Sequence, residues 1–362
     1  MPNIIEKSAR GRASYSPGTR RVLWSLPGVI SVVRRHAPSI VFASLLVCSA
    51  VASAALDANA RDDIAERAGE LARTHTLLVA VNGETVIERG YRGHRTRETV
   101  NIKSLSKTWI ATLVGAAIDR GVIESADQPV AELLGDRVPA DVDPRVREIT
   151  VGQLLSMQSG LERTSGGNYG AWVASDNWVA NALRRPFVAE PGGRMLYSTG
   201  NSHLLSAALT QATGRSTLAV MRDWLGEPLG IAIPPWTRDP QGIYFGGNEM
   251  GLTPAALLAF AEMIRRDGRV DGEQVVSKDW IEASWQPRTK SVYTGDAYGY
   301  GWFTTELAGV TAHYGRGYGG QVLFVVPAKQ LSVVITSDPT PPSNGSYFQQ
   351  QAALVERIIE AI

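Results

Sequence analysis

The chain holds six lysines, and just one of them stands three residues after a serine. Ser104-Leu105-Ser106-Lys107 is an S-x-x-K pattern. On a helix, residues i and i+3 share a face, so the Lys107 ammonium can reach the Ser104 hydroxyl. A serine needs that help, because its free hydroxyl is a poor nucleophile at neutral pH. The bland alternative is a surface serine-lysine pair, and placement separates the two. A serine at a helix start lies where unpaired N–H groups and the positive end of the dipole point outward, which suits a residue whose intermediate is an oxyanion.

A second candidate is Tyr197, in "RMLYSTGNSHLLSAALTQATG", just ahead of a short polar turn and an apolar helix. Its bland alternative is a half-buried aromatic, with Asn201 as a helix N-cap. Chemically, a phenol beside a lysine ammonium has its pKa lowered towards that of a general base.

A third is "HYGRGYGGQVLFVV", where Gly315, Gly317 and Gly320 fall at G-x-G-x-x-G spacing. A dinucleotide turn must open a helix whose N-terminus takes the pyrophosphate. Here Gly320 is followed by "QVLFVVP", β-branched, apolar and closed by Pro327, which is a strand. Glycines at a strand edge have another use, bringing a ligand close to backbone N–H donors.

Pattern counts against other chemistries, and nothing points to a Ser-His-Asp triad. No lysine follows a glycine, so a G-K-[ST] phosphate loop is absent, and no G-x-S-x-G elbow exists. The five histidines (His36, His75, His94, His203, His313) show no H-E-x-x-H or paired metal spacing, and His203 is expected to pack on its helix. The only cysteine, Cys48, lies in an apolar N-terminal run, so the body has none for disulfides, thiolate nucleophiles or metal.

The elements that must position these residues begin near Asp57. An amphipathic helix over Ile64 to Leu71 is followed by two β-rich runs around Asn82-Gly83, a hairpin signal. Apolar residues at helical spacing over 104–120 predict a helix starting near Ser104. From about 121 to 294 the chain is helical segments separated by Gly/Pro turns; then strands return at "YGYGWFTTEL", "QVLFVVPA" and "LSVVITSD", before a closing helix. Strands at both ends with helices between predict an α/β (α+β) fold. One antiparallel sheet is built from about 57–120 and 295–362, with a mainly helical part inserted at about 121–294.

Apolar content of 44% with 20% charged fits a globular enzyme. Residues 1–55 carry a balance of +6, leaving the remainder at −5, which argues against a nucleic-acid partner. Residues 37–56, "APSIVFASLLVCSAVASAAL", carry no charge, follow Arg34-Arg35 and include Ala52-Ser53-Ala54. They read as an export signal, or as an uncleaved membrane anchor of the same length. Either reading puts the body in the periplasm or outside the cell.

With these pieces in order, the chain resembles the serine β-lactamase-like superfamily, particularly the branch of class C β-lactamases, S-x-x-K esterases and 6-aminohexanoate-dimer hydrolases. The resemblance covers about residues 60–362 and rests on "KSLSKTWIATLVGAAIDRG", "TVGQLLSMQSGL", "YSTGNSHLLSAAL", "YFGGNEMGLTP", "YGYGWF" and "GRGYGGQVLFVVP". It implies an acyl-enzyme mechanism with Ser104 as nucleophile, Lys107 as its activator and Tyr197 as base or proton shuttle. Whether Lys107 or Tyr197 takes the serine proton stays open. The implied oxyanion hole is the backbone N–H of Ser104 and of Tyr318, with Gly317, Gly319 and Asn201 on the substrate side. No metal or organic cofactor is implied.

Two departures bear on the substrate. Where the class C pattern has asparagine two residues after the tyrosine, this chain has Thr199, and no Lys-Thr-Gly strand motif is present. These departures resemble amide and ester hydrolases of the 6-aminohexanoate-dimer type, acting on a small molecule or short peptide. The alternatives are a β-lactamase or D-amino-acid peptidase acting on cell-wall material, and a non-catalytic protein that binds peptidoglycan fragments.

Overall fold

In the computed structural model, residues 56–343 and 345–362 are described. The export or anchor segment and Cys48 lie outside them, except for Leu56. Among the described residues no helix is long and apolar enough to cross a membrane.

An eight-stranded antiparallel sheet organises the fold. Its strands are β1 (Thr74–Val81), β2 (Glu84–Gly90), β3 (Thr289–Lys290), β4 (Ala297–Tyr298), β5 (Phe303–Leu307), β6 (Val310–Gly317), β7 (Gln321–Val326) and β8 (Leu331–Ser337). Their order is β2-β1-β8-β7-β6-β5-β4-β3. The β1–β2 hairpin turns at Asn82 and Gly83, whose φ of 54° and 88° are what a tight two-residue hairpin loop demands. Strand β8 then pairs with β1 on one side and β7 on the other. The two chain ends therefore share one sheet, as their strand patterns predict. Edge strand β3 comes from the stretch read as helical, because two residues carry too little periodicity to announce a strand.

Both faces of the sheet are covered, which is why β1 and β7 read as unbroken apolar runs rather than alternating ones. Leu77, Val79, Phe324 and Val326 face helices α1 (Ala58–Glu70) and α5 (Gly345–Glu360). Leu78, Ala80, Leu323 and Val325 face the opposite core, with α2 (Ser106–Asp119) and α4 (Pro254–Arg265). Each fully buried Leu, Val or Phe contributes about 1.5–3 kcal/mol. Helix α1 is capped by Asp57, whose side chain accepts from the Ala60 N–H at 2.8 Å.

Every residue from Ser106 to Ala117 is buried. Helix α2 is wedged between the sheet and the helical layer, where it meets α3 (Thr199–Thr213). Lys107 on this helix is buried, so its amine must find its partners inside.

Candidate active site

Ser104 sits in a single 3₁₀ turn, Lys103–Leu105, that leads into α2; the regular helix starts two residues later than its spacing predicts. Lys103 has φ 53°, an uncommon conformation for a side chain with a Cβ. Neighbours hold the turn there. The Lys103 N–H donates to Asn101 Oδ1 at 2.9 Å, its carbonyl accepts from Ser106 Oγ at 2.6 Å, and its ammonium pairs with Glu249 at 3.2 Å. Backbone strain at such a turn persists only where its surroundings over-determine it.

Lys107 Nζ lies 3.0 Å from Ser104 Oγ, 3.3 Å from Thr199 Oγ1 and 2.6 Å from the Gly247 carbonyl oxygen. The carbonyl can only accept. A neutral amine has two N–H donors and one lone pair, so donating to Gly247 and Thr199 leaves the lone pair for the Ser104 hydroxyl. Burial drives the Lys107 pKa down to about 7, because no carboxylate offsets the loss of water.

Tyr197 lines the same cleft as Ser104, and its ring centroid is 5.1 Å from Lys107 Nζ. Its proton affinity runs opposite to expectation. Burial pushes the phenol up to about 12, only partly offset by the nearby Ser104 hydroxyl and the charge of Arg316. Proximity to Lys107 does not lower it, since an amine that has lost its charge offers a phenolate nothing.

These groups open onto a cleft of about 720 Å³, a size ordinary for a small-molecule site, lined by Ser104, Tyr197, Gly317 and Tyr318 among others. Tyr318 follows the end of β6 at the cleft and is 48% exposed. Two expected substrate-side residues lie elsewhere. Asn201 is buried inside α3, its Oδ1 accepting from Ser159 Oγ at 3.2 Å, and it does not line the cleft. Nor does it cap α3, whose N-cap position is Ser198. Gly319 packs against Pro339 instead, where an added Cβ would come within 2.3 Å of its Cα.

Gly317 lines the cleft, yet the space beside its Cα is filled by protein. A Cβ there would lie 2.2 Å from the Ile102 carbonyl oxygen. Gly315 likewise admits Leu105 and Thr108. The glycines let β6 press against the turn that carries Ser104, rather than make room for a ligand.

Residue-by-residue pattern missed several groups. Thr199 stands where the class C pattern has asparagine, and it holds Lys107 while its own N–H donates to Ser165 Oγ at 2.8 Å. Gly247 acts through its carbonyl, which has no residue-type signature; the Gly246-Gly247 pair was the only available hint. Arg316, Asn248 and Tyr293 also line the cleft.

Comparison with known proteins identifies the family and the fold. The family profile described as Beta-lactamase matches residues 65–355, and the chain belongs to that family, whose fold serves hydrolases. It is 24% identical over 319 residues to the 6-aminohexanoate-dimer hydrolase of Paenarthrobacter ureafaciens, covering 80% of this chain and 79% of that one. It is 31% identical over 146 residues to the probable fimbrial assembly protein FimD, serogroup H1, of Dichelobacter nodosus. That match spans 38% of this chain and only 36% of the relative's length. Among solved structures, a penicillin-binding protein homologue from Caulobacter crescentus superposes with a TM-score of 0.69 at 17% identity, covering 85% of this chain and 99% of that one.

Proposed function

We propose that the protein is a serine hydrolase that cleaves an amide or ester bond of a small molecule or short peptide through an acyl-serine intermediate. The observation that carries this reading is Lys107: a buried amine with its pKa held down to about 7, its Nζ 3.0 Å from Ser104 Oγ and also bonded to Thr199 and the Gly247 carbonyl.

Ser104 Oγ bonds the substrate carbonyl carbon as Lys107 takes the hydroxyl proton. The carbonyl oxygen becomes an oxyanion held by the backbone N–H groups of Ser104 and Tyr318, each donor worth about 3 kcal/mol in the transition state. Tyr197 stays a phenol and passes the proton from Lys107 to the departing amine or alcohol as the scissile bond breaks. Water then attacks the acyl-serine with the same base accepting its proton, and the acid product leaves.

Support for a linear amide or ester over a β-lactam comes from Thr199 in the asparagine position and from the missing Lys-Thr-Gly strand. The 24% identical relative is a 6-aminohexanoate-dimer hydrolase by name. The basic-flanked apolar segment 37–56 supports a periplasmic or secreted location, with any membrane association running through that segment.

A fluorophosphonate or activated ester should add mass at Ser104, and Ser104→Ala should abolish the label. A panel of p-nitrophenyl esters, linear amides, D-peptides and nitrocefin should show ester or linear-amide turnover above nitrocefin. Intact labelling of Ser104→Ala overturns the nucleophile; nitrocefin as the best substrate overturns the substrate class.

A further inference from the structure

Behind the lysine lies a polar pair that none of these steps uses. His203, on α3, is fully buried, and its Nε2 is 3.0 Å from Oδ2 of Asp239, which is equally enclosed. The rings of Trp172, Trp178 and Phe245 stand edge-on to the imidazole at 5.9, 5.4 and 5.9 Å. A buried polar pair among aromatics is costly unless every polar atom is satisfied. Here the atoms are satisfied in a directed way.

His203 Nδ1 takes the backbone N–H of Gly246 at 3.4 Å. A backbone N–H only donates, so Nδ1 is unprotonated and the ring proton sits on Nε2, donated to Asp239. The other carboxylate oxygen accepts from the backbone N–H groups of Gln241 and Ile243 at 2.9 and 2.8 Å. Asp239 therefore presents acceptors throughout, and the tautomer of His203 is set from both sides.

Gly246 precedes Gly247, whose carbonyl makes the shortest hydrogen bond of Lys107. Both residues lie flat on α3: a Cβ at 246 would be 2.0 Å from the Ser202 carbonyl oxygen, and one at 247 would be 2.9 Å from Ser202 Cβ. Neither glycine has a side chain to anchor it, so the imidazole acceptor supplies a side-chain tie for this turn.

We infer that His203 and Asp239 are positioning residues for Lys107, fixing the Gly246-Gly247 turn so that the Gly247 carbonyl aims the amine lone pair at Ser104. The inference rests on the acyl-serine reading of the same site. His203 touches neither Ser104 nor the cleft, so it acts through the turn rather than on the reacting atoms. Small misplacements of a reacting group cost up to about a hundred-fold in rate, which makes the tie measurable.

Asp239→Asn is the sharpest variant. With the backbone donors holding the amide oxygen, the new NH₂ group faces Nε2 and forces the imidazole proton onto Nδ1, against the Gly246 N–H. The acylation rate, read from the p-nitrophenol burst of an activated ester, should fall about ten-fold or more. Its pH midpoint should move away from that of the wild type, a change that lost packing alone does not produce. His203→Asn, which keeps an acceptor near the Nδ1 position, should recover most of the rate lost in His203→Ala.

A folded Asp239→Asn variant with wild-type burst rate and midpoint overturns the inference. Nitrogen-15 NMR of the histidine-labelled wild-type protein decides it without any variant: a neutral ring protonated at Nε2 supports the dyad, and a proton on Nδ1 overturns it. Should wild type fail to acylate at all, the acyl-serine reading is what falls, and the tautomer measurement still judges the dyad.

Discussion

The Lys107 amine lies 5.1 Å from the centroid of the Tyr197 ring, and burial separates the two groups in proton affinity by driving them in opposite directions. Desolvation penalises whichever form is charged, the ammonium of one and the phenolate of the other. Lysine falls to about 7 and tyrosine climbs to about 12. Between those values the site holds a neutral amine and a neutral phenol, which is a base next to an acid.

The acylation rate should therefore rise as pH passes through about 7, where Lys107 loses its proton, and then stay level through pH 9. Burst kinetics with an activated ester across pH 5–10 measure this. A single rise centred near 10 would mean that the base is not a lysine desolvated as the structure has it.

Replacing Tyr197 with phenylalanine tests the division of labour. If Tyr197 relays the proton without being the base, Tyr197→Phe should lower kcat by about 10²–10⁴-fold while the rise near pH 7 persists. Amide substrates should suffer more than activated esters, since an amine leaving group needs the proton and p-nitrophenolate does not. Loss of the pH 7 rise in this variant would return the base role to the phenol.

The same lysine leaves a mark on stability. Its folded pKa is depressed from 10.5 to about 7, so between those values the unfolded chain carries the extra proton. Stability contributed by Lys107 is fully present above 10.5, declines as pH falls, and is lost below about 7. Relative to Lys107→Met, the wild type should gain about 1.4 kcal/mol per pH unit on going from pH 7 to 10. Urea titrations of both proteins at matched pH give the difference directly, and parallel stability curves would mean that the amine is not desolvated as the structure has it.

Much of this site was legible in the chain, and the unread part has a physical pattern. Ser104 and Lys107 announce themselves by spacing, and the β1–β2 hairpin by Asn82-Gly83, because helical faces and tight turns each constrain residue type locally. Gly247 could not be read, since a carbonyl is common to all residues and only the fold says where it points. Thr199 was visible only as a departure from a pattern; its hydroxyl became a ligand of Lys107 once α2 and α3 packed together. Tyr197 does lie beside Lys107 at the cleft, but its pKa moves the other way, because a sequence shows neighbours by type and not how much water they exclude. Asn201 reads as a cap from the polar turn before it, but the cap position is Ser198, three residues earlier.

The glycine-rich edge yields the prediction that separates a ligand's room from the protein's own. An alanine at Gly317 places its Cβ 2.2 Å from the Ile102 carbonyl and 3.1 Å from Lys103 Cβ, so the turn bearing Ser104 must shift. At Gly319 the cost comes from φ of 79° and from Pro339, away from the cleft. Both variants should melt below wild type, Gly319→Ala by about 1–2 kcal/mol for the left-handed backbone plus its contact with Pro339. Per folded molecule, counted by fluorophosphonate titration, Gly319→Ala should keep kcat near wild type while Gly317→Ala loses up to about a hundred-fold. Equal losses of kcat in the two would mean that both glycines serve the bound acyl group, whereas the observed packing assigns Gly317 to the placement of Ser104 and Gly319 to the fold.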